Sequence, residues 1–155
     1  EPSRRYWDST NFICLIADDE KERSGICERI LQDAEEGRTA FIITSALTMA
    51  EVVKKRGQPP FSTDVDRAIK DFFLHDYILA HDVTRSIAEL ARTLSRKHGL
   101  RPADAIHLAT AIQSDADVFE TWDMRDFGGI ADVPIAIREP AWAGQLRLPG
   151  ETGSE

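Results

Sequence analysis

The residues of this 155-residue chain best placed to do chemistry are carboxylates in unusual surroundings. Asp8 directly follows the apolar pair Tyr6-Trp7 and precedes Ser9-Thr10-Asn11. Glu51 sits in the most apolar stretch of the chain, between Met49-Ala50 and Val52-Val53. Asp104 falls in the first turn of a helix otherwise made of small and apolar residues, 103–112. Asp123 follows a short apolar run, and Asp126 comes three residues later.

Taken singly, each acid has a plain structural reading. Asp104 fits a helix N-terminal acid, stabilised by the helix dipole by roughly 0.3–1 kcal/mol. Glu51 fits the reciprocal member of a capping box opened by Thr48. Asp8 fits an Asx turn, and Asp123 and Asp126 fit ordinary loop acids. Taken together, Asp8, Glu51, Asp104 and Asp123 emerge from one side of a predicted parallel sheet, at the strand ends where such sheets bind ligands. Carboxylates converging in a half-buried site raise one another's pKa. The cluster makes physical sense around a hard divalent cation, and Mg²⁺ or Mn²⁺ suits an all-oxygen ligand set. An ion held this way activates a water and stabilises charge on a phosphate in transfer.

The elements that must position these acids follow from periodicity and turn signals. Tyr6-Trp7-Asp8 ends a first strand, Asn11–Ala17 reads as a short apolar helix, and Asp19–Glu36 reads as an amphipathic helix stopped by Gly37. Phe41–Thr44 is a β-branched run expected as a buried strand, and a helix capped by Ser45 or Thr48 follows, ending by Gly57 before Pro59-Pro60. Thr63–Leu74 is predicted helical, Tyr77–Val83 a strand, and Thr84–His98 a helix closed by Gly99. Pro102 opens a helix that runs to about Ser114, with strands at Asp117–Glu120 and Val133–Ile137. Strands alternating with helices predict an α/β fold, a sandwich around a mostly parallel sheet.

Composition narrows the class. Hydrophobic residues make up 42% and charged residues 30%, as in ordinary globular domains, so no second domain is expected. The longest nearly uncharged stretch, Thr39–Ala50, falls short of the roughly 20 apolar residues a membrane span needs. Cys14 and Cys27 lie among apolar neighbours and read as reduced core thiols, the pattern of a cytoplasmic protein. With four histidines and two isolated cysteines, zinc coordination is not expected. Residues 149–155 have the composition of a frayed tail.

Several segments together resemble the PIN-domain ribonucleases, in particular the VapC-type toxins of bacterial and archaeal toxin–antitoxin pairs. They are Tyr6-Trp7-Asp8-Ser9-Thr10, Thr44-Ser45 with Ala50-Glu51-Val52, Gly99-Leu100 through Asp104-Ala105-Ile106-His107-Leu108-Ala109-Thr110-Ala111, and Thr121-Trp122-Asp123 with Asp126-Phe127. Their order and spacing match from about Arg5 to Ile137, and the Asp-Ala-x-His-Leu-Ala-Thr-Ala segment is the most specific. The resemblance implies a three-layer α/β/α sandwich, one PIN-like nuclease domain over residues 1–148, and an acidic pocket for Mg²⁺ or Mn²⁺. By position, Asp8, Glu51, Asp104 and Asp123 correspond to the family's four catalytic and metal-binding acids. Thr10 and Thr121 correspond to supporting hydroxyl residues, and Asp126 to a frequent extra acid. The chain departs from the family at Phe119-Glu120-Thr121, where an apolar residue more often precedes the Thr, and in the stretch 139–155 after the last strand.

The implied activity is metal-dependent hydrolysis of RNA phosphodiesters. In that scheme Asp8, Asp104 and Asp123 hold the metal, and Glu51 ligates a second ion or orients the attacking water. His107 reads as a packing residue. A net charge of −8 looks wrong for an RNA-cleaving protein, but charge is local. Residues 85–101 hold five basic side chains and one acid, +4, with Arg96, Lys97 and Arg101 among them; Lys54-Lys55-Arg56 forms a second patch. Both patches are candidate RNA contacts, or else solvated helix ends. The expected partners are RNA and an antitoxin protein, in a homodimer that becomes a heterotetramer or larger assembly with the antitoxin. Competing readings are a housekeeping RNA-processing nuclease, a non-catalytic RNA- or protein-binding module, and a phosphoacceptor receiver domain. The last would need a phosphate-binding Lys on a late strand, and no Lys follows Lys97.

Overall fold

The computed structural model describes residues 2–37 and 39–142, so the expected tail at 149–155 and most of the 139–155 stretch lie outside the described residues. In chain order the elements are β1 (Ser3–Trp7), α1 (Ser9–Ala17), α2 (Lys21–Glu36), β2 (Ala40–Ser45), α3 (Ala46–Glu51) and α4 (Thr63–Phe72). There follow β3 (Ile78–His81), α5 (Arg85–His98), α6 (Pro102–Gln113), β4 (Val118–Glu120), α7 (Met124–Phe127) and β5 (Ala136–Arg138). The strands form one sheet in the order β3-β2-β1-β4-β5, and every pairing is parallel, where a mostly parallel sheet was expected. Among the described residues, no helix is long and apolar enough to cross a membrane.

β1 lies at the centre, and the chain winds outward from it in both directions. Its neighbours β2 and β4 therefore flank a topological switch point, where a crevice opens at the carboxyl ends of the strands. Successive side chains of a strand alternate between the two faces of the sheet. Tyr6, Ile43 and Phe119 pack with Ile87, Leu94 and Leu108 of α5 and α6 on one side. Trp7 and Ile42 pack with Phe12, Cys27 and Ile30 of α1 and α2 on the other. The result is the three-layer α/β/α sandwich. Both cysteines are buried and unpaired, and burial pushes the Cys27 thiol up to about 12.

The differences from the predicted elements have local causes. α3 stops at Glu51 rather than near Gly57, because Val52 leaves helical dihedrals (φ −81°, ψ 72°) and buries its side chain in the α1/α2 layer. Tertiary burial here overrides helix propensity. Ser45 rather than Thr48 caps that helix, accepting from Leu47 N–H, while the Thr48 hydroxyl bonds Thr44 inside the core. The capping-box reading of Glu51 therefore fails. β5 starts at Ala136 rather than Val133. α7 was not expected; Asp123 caps it.

One buried ion pair ties the centre of the sheet together. Glu120 on β4 is fully buried and accepts from Arg5 Nη1 (2.9 and 3.1 Å) and from Trp7 Nε1 (3.1 Å) on β1. The same Arg5 nitrogen donates to Ala141 O at 2.7 Å, fastening the chain beyond β5 back onto β1. This explains the departure at Phe119-Glu120-Thr121. Where an apolar residue would fill the site with bulk, Glu120 fills it with a carboxylate whose partner, Arg5, is also buried. Removing one member of such a pair leaves a buried charge uncompensated. Glu120→Leu is expected to destabilise the fold by about 3–5 kcal/mol, with Arg5→Met/Glu120→Leu recovering most of the loss. Urea melts of the three proteins check this; equal stability of the single variant and the parent would remove the pair from the account of the fold.

Candidate active site

Asp8 is the first residue past β1 and the N-cap of α1, so the backbone itself turns its carboxylate into the switch-point crevice. It is 3% exposed, and its oxygens are held by two hydroxyls. Thr10 Oγ1 donates to Oδ1 at 2.5 Å, with the Thr10 N–H at 3.1 Å, and Thr121 Oγ1 donates to Oδ2 at 2.6 Å. Each hydroxyl in turn accepts a backbone N–H from the turn after β4: Trp122 N–H to Thr10 (3.2 Å) and Asp123 N–H to Thr121 (2.9 Å). Donor and acceptor directions are therefore fixed all the way from the β4–α7 turn to Asp8. Both threonines lie where a supporting role was expected.

Glu51, the last residue of α3, sends Oε1 to His107 Nε2 at 2.5 Å, and His107 Nδ1 meets Tyr6 Oη at 2.7 Å. Burial, reinforced by the nearby Asp8 charge, holds the Tyr6 phenol well above its ordinary pKa, so it keeps its proton. The ring of His107 thus bridges a neutral phenol and the Glu51 carboxylate. His107 is buried at 2% exposure, as a packing residue is, yet both of its ring nitrogens are engaged. Its spacing of three from Asp104 on α6, which places the two on one side of the helix, was the available signal for this.

The remaining acids form a trio. Asp104 on α6, Asp123 at the cap of α7 and Asp126 within α7 each place one oxygen within 4.8 Å of the other two. Asp8 and Glu51 stand outside this trio. Asp8 is linked to it through Thr121 and the Asp123 N–H, while Glu51 is held by His107 of the helix that carries Asp104. Arg101 lies across the trio, with Nη2 2.9 Å from Asp126 Oδ2 and Nε 3.4 Å from Asp104 Oδ2. Asp104 Oδ2 is nevertheless buried and accepts no hydrogen bond. Three carboxylates with a buried oxygen awaiting a partner fit a hard divalent cation of the Mg²⁺ or Mn²⁺ kind.

The electrostatics agree with crowding and burial. Desolvation raises Asp8 against the pull of His107 and the two threonine hydroxyls. Desolvation also raises Asp104, with Asp126 and Asp123 adding to it and Arg101 opposing. Asp123 is raised by the same burial and by the nearby Asp126 carboxylate.

The basic patches fall on different elements. Lys54, Lys55 and Arg56 occupy the turn after α3; Lys55 is held by Asp19 (2.6 Å) and Glu20 (3.6 Å), while Arg56 is exposed and makes no ion pair among the described residues. Arg96 and Lys97 are in the last turn of α5, Lys97 on Asp132 at 2.6 Å, and Arg101 caps α6 over the acids.

The PIN domain family model matches residues 6–132. A toxin–antitoxin complex from Klebsiella pneumoniae contains a chain 21% identical that superposes with a TM-score of 0.60, covering 81% of this chain and 92% of that one. VapC20 of Mycobacterium tuberculosis, described as a sarcin–ricin loop cleaving toxin, gives 0.61 at 16% identity, covering 83% and 98%. VapBC2 of Rickettsia felis, bound to a DNA fragment from its promoter, gives 0.59 at 16% identity, covering 88% and 97%. At such identities these structures speak for the fold. No curated protein matches.

The raised acids set a pH dependence. A carboxyl whose folded pKa lies above its unfolded value of about 3.9 binds its proton more tightly in the folded chain, so stability falls as pH rises through that window. The penalty is complete above the folded pKa values. Without divalent ions, Asp104→Asn and Asp123→Asn are therefore expected to raise the melting midpoint near pH 7 and change it little near pH 4. Mn²⁺ is expected to stabilise the parent near pH 7 by several degrees and the variants less; about 1 kcal/mol moves a chain of this size by roughly 2–4 °C. Calorimetry with EDTA and with Mn²⁺ checks both signs.

Proposed function

The chain belongs to the PIN domain family, and on that premise we propose that it is a metal-dependent endoribonuclease, the toxin of a toxin–antitoxin pair. The observation that carries this reading is the convergence of Asp104, Asp123 and Asp126, with Asp104 Oδ2 buried and unbonded, at the switch point beside Asp8. In this reading Asp8, Asp104 and Asp123 hold Mg²⁺ or Mn²⁺, with Asp126 supporting them. When bound, the cation supplies Lewis acidity and lowers the pKa of a coordinated water.

The chain's own side chains do the rest. Thr10 and Thr121 immobilise the Asp8 carboxylate, yet an ionised Oδ2 with one hydrogen bond keeps a lone pair for a ligand. His107 takes Oε1 of Glu51 and leaves Oε2 to accept a proton from the attacking water. Arg101 neutralises the trio until substrate or metal displaces it, and its side chain, 75% exposed, is free to swing to a phosphate. Lys54, Lys55 and Arg56 after α3 and Arg96 and Lys97 on α5 supply phosphate contacts despite the negative total. The toxin–antitoxin and VapBC structures that share the fold support a protein antitoxin as partner, and a homodimer as the toxin unit belongs to the same proposal.

A panel of structured RNAs incubated with Mg²⁺, Mn²⁺ or EDTA tests the reading. The parent is expected to cleave with metal only, and Asp8→Asn to lose at least about 100-fold in rate, the scale set by removing a group that stabilises transition-state charge. Cleavage that persists in EDTA or in Asp8→Asn would overturn it. His107→Gln, which can still offer an N–H to Glu51, is expected to keep more kcat than His107→Leu, with KM similar in both; equal kcat values would deny His107 its positioning role.

A further inference from the structure

A cavity of about 260 Å³ opens directly off the acid centre, sharing Thr10 and Asp123 with it. Ile13 and Trp122 line it with apolar surface, and Arg23, Lys55 and Arg56 line it with positive charge. We propose that this cleft seats a nucleotide flanking the scissile phosphate of a single-stranded RNA, an assignment that rests on the ribonuclease reading of the acid centre.

The first argument is continuity. A polynucleotide whose phosphate lies against the trio must carry its next residue somewhere, and this cleft begins at two side chains of the site itself. The groove between α5 and α6, lined by Ala88, Ala91, Arg92 and Ile106, includes none of the site's acids or threonines.

The second argument is charge. In a chain of net charge −8, three cations line this cleft against two acids, Glu20 and Asp123. Lys55 is committed to Asp19. Arg23 is not: its only ion pair among the described residues is to Glu20, at 3.6 Å and half-exposed, a contact worth little in water and readily exchanged for a phosphate. Arg56 has no ion pair among the described residues. Both are therefore available to a polyanion.

The third argument is orientation. The Arg23 guanidinium lies 5.0 Å over the Trp122 ring centroid, which holds its planar fork in place at the cleft wall instead of leaving it mobile in solvent. A stacked guanidinium also offers its outer face to a base. Phosphate charge and a flat apolar ring are the two features of one nucleotide, and the charged and apolar lining residues meet both.

The test uses the full chain carrying Asp8→Asn, to prevent cleavage, and a short fluorescein-labelled single-stranded RNA of mixed sequence, read by anisotropy across a salt series. Arg23→Gln and Arg56→Gln are each expected to weaken binding roughly 3- to 10-fold and to lower the salt slope by about 0.7 per lost phosphate contact. Arg67→Gln, at an exposed position on α4, is expected to leave both unchanged. In the active chain the same two variants raise KM and spare kcat. Arg56→Gln, at an exposed turn, keeps the test valid if Arg23→Gln fails to fold. RNA bound by the double variant with unchanged affinity and slope would overturn the cleft while leaving the nuclease reading intact. Unchanged RNA binding with release of a co-expressed partner protein would assign the cleft to a polypeptide and also overturn it. No RNA bound by any variant, with no cleavage by the parent, would overturn both readings together.

Discussion

Mutual repulsion among carboxylates is the constraint on which the rest of the structure depends. Three oxygens from Asp104, Asp123 and Asp126 lie within 4.8 Å of one another, partly out of water, and their repulsion works against that arrangement. The fold imposes it from three directions. Helix α6 brings Asp104 in its first turn, where the positive end of the helix dipole offsets part of the cost. The turn after β4 brings Asp123, and α7 brings Asp126. Arg101 lies over the trio as the chain's own counter-charge.

The sheet centre resists the same repulsion. β1 and β4 are joined by ladder bonds, by the Arg5–Glu120 pair and by the Thr121–Asp8 hydrogen bond. Asn11 adds a bond from its side chain to the Glu120 carbonyl, so the first turn of α1 is also fastened to β4. The crevice that holds the acids is thus bounded by a seam that ladder bonds, an ion pair and side-chain hydrogen bonds all cross. Rigid walls keep like charges at a set spacing, which a flexible loop would relax.

Much of this was legible in the sequence, for identifiable reasons. Parallel strands buried on both faces read as short β-branched runs, and Phe41–Thr44 did so. Pro102 and Gly99, the latter at φ 70°, marked the end of α5 and the start of α6 beyond dispute. The acids stood out because each interrupted an apolar context. What could not be read depended on contacts distant in sequence. α7 is four residues long, too short for a helical period to show, and is fixed by Phe127 packing on Phe119. The end of α3 was set by where Val52 finds its pocket. The Tyr6–His107–Glu51 chain joins residues from β1, α6 and α3, and the bonding of Glu120 joins β1, β4 and Ala141. Neither leaves a local pattern.

The shortness of α7 divides the site into halves of unequal durability. Asp8 sits at the end of the innermost strand, and losing its position means opening the sheet. Asp123 and Asp126 depend on a single turn of helix whose one deep anchor is the ring of Phe127. Local opening free energies follow the number of buried contacts. The half bearing Asp8 therefore opens only with the whole fold, and the half bearing Asp123 can open alone. Hydrogen exchange would distinguish them as a slow and a fast region a few residues apart in space. In the proposed reading, an ion held by Asp8, Asp104 and Asp123 would close the fast half onto the slow one, with part of its binding energy spent on that closure. Affinity for the ion would then be set in part by an aromatic ring that never touches it.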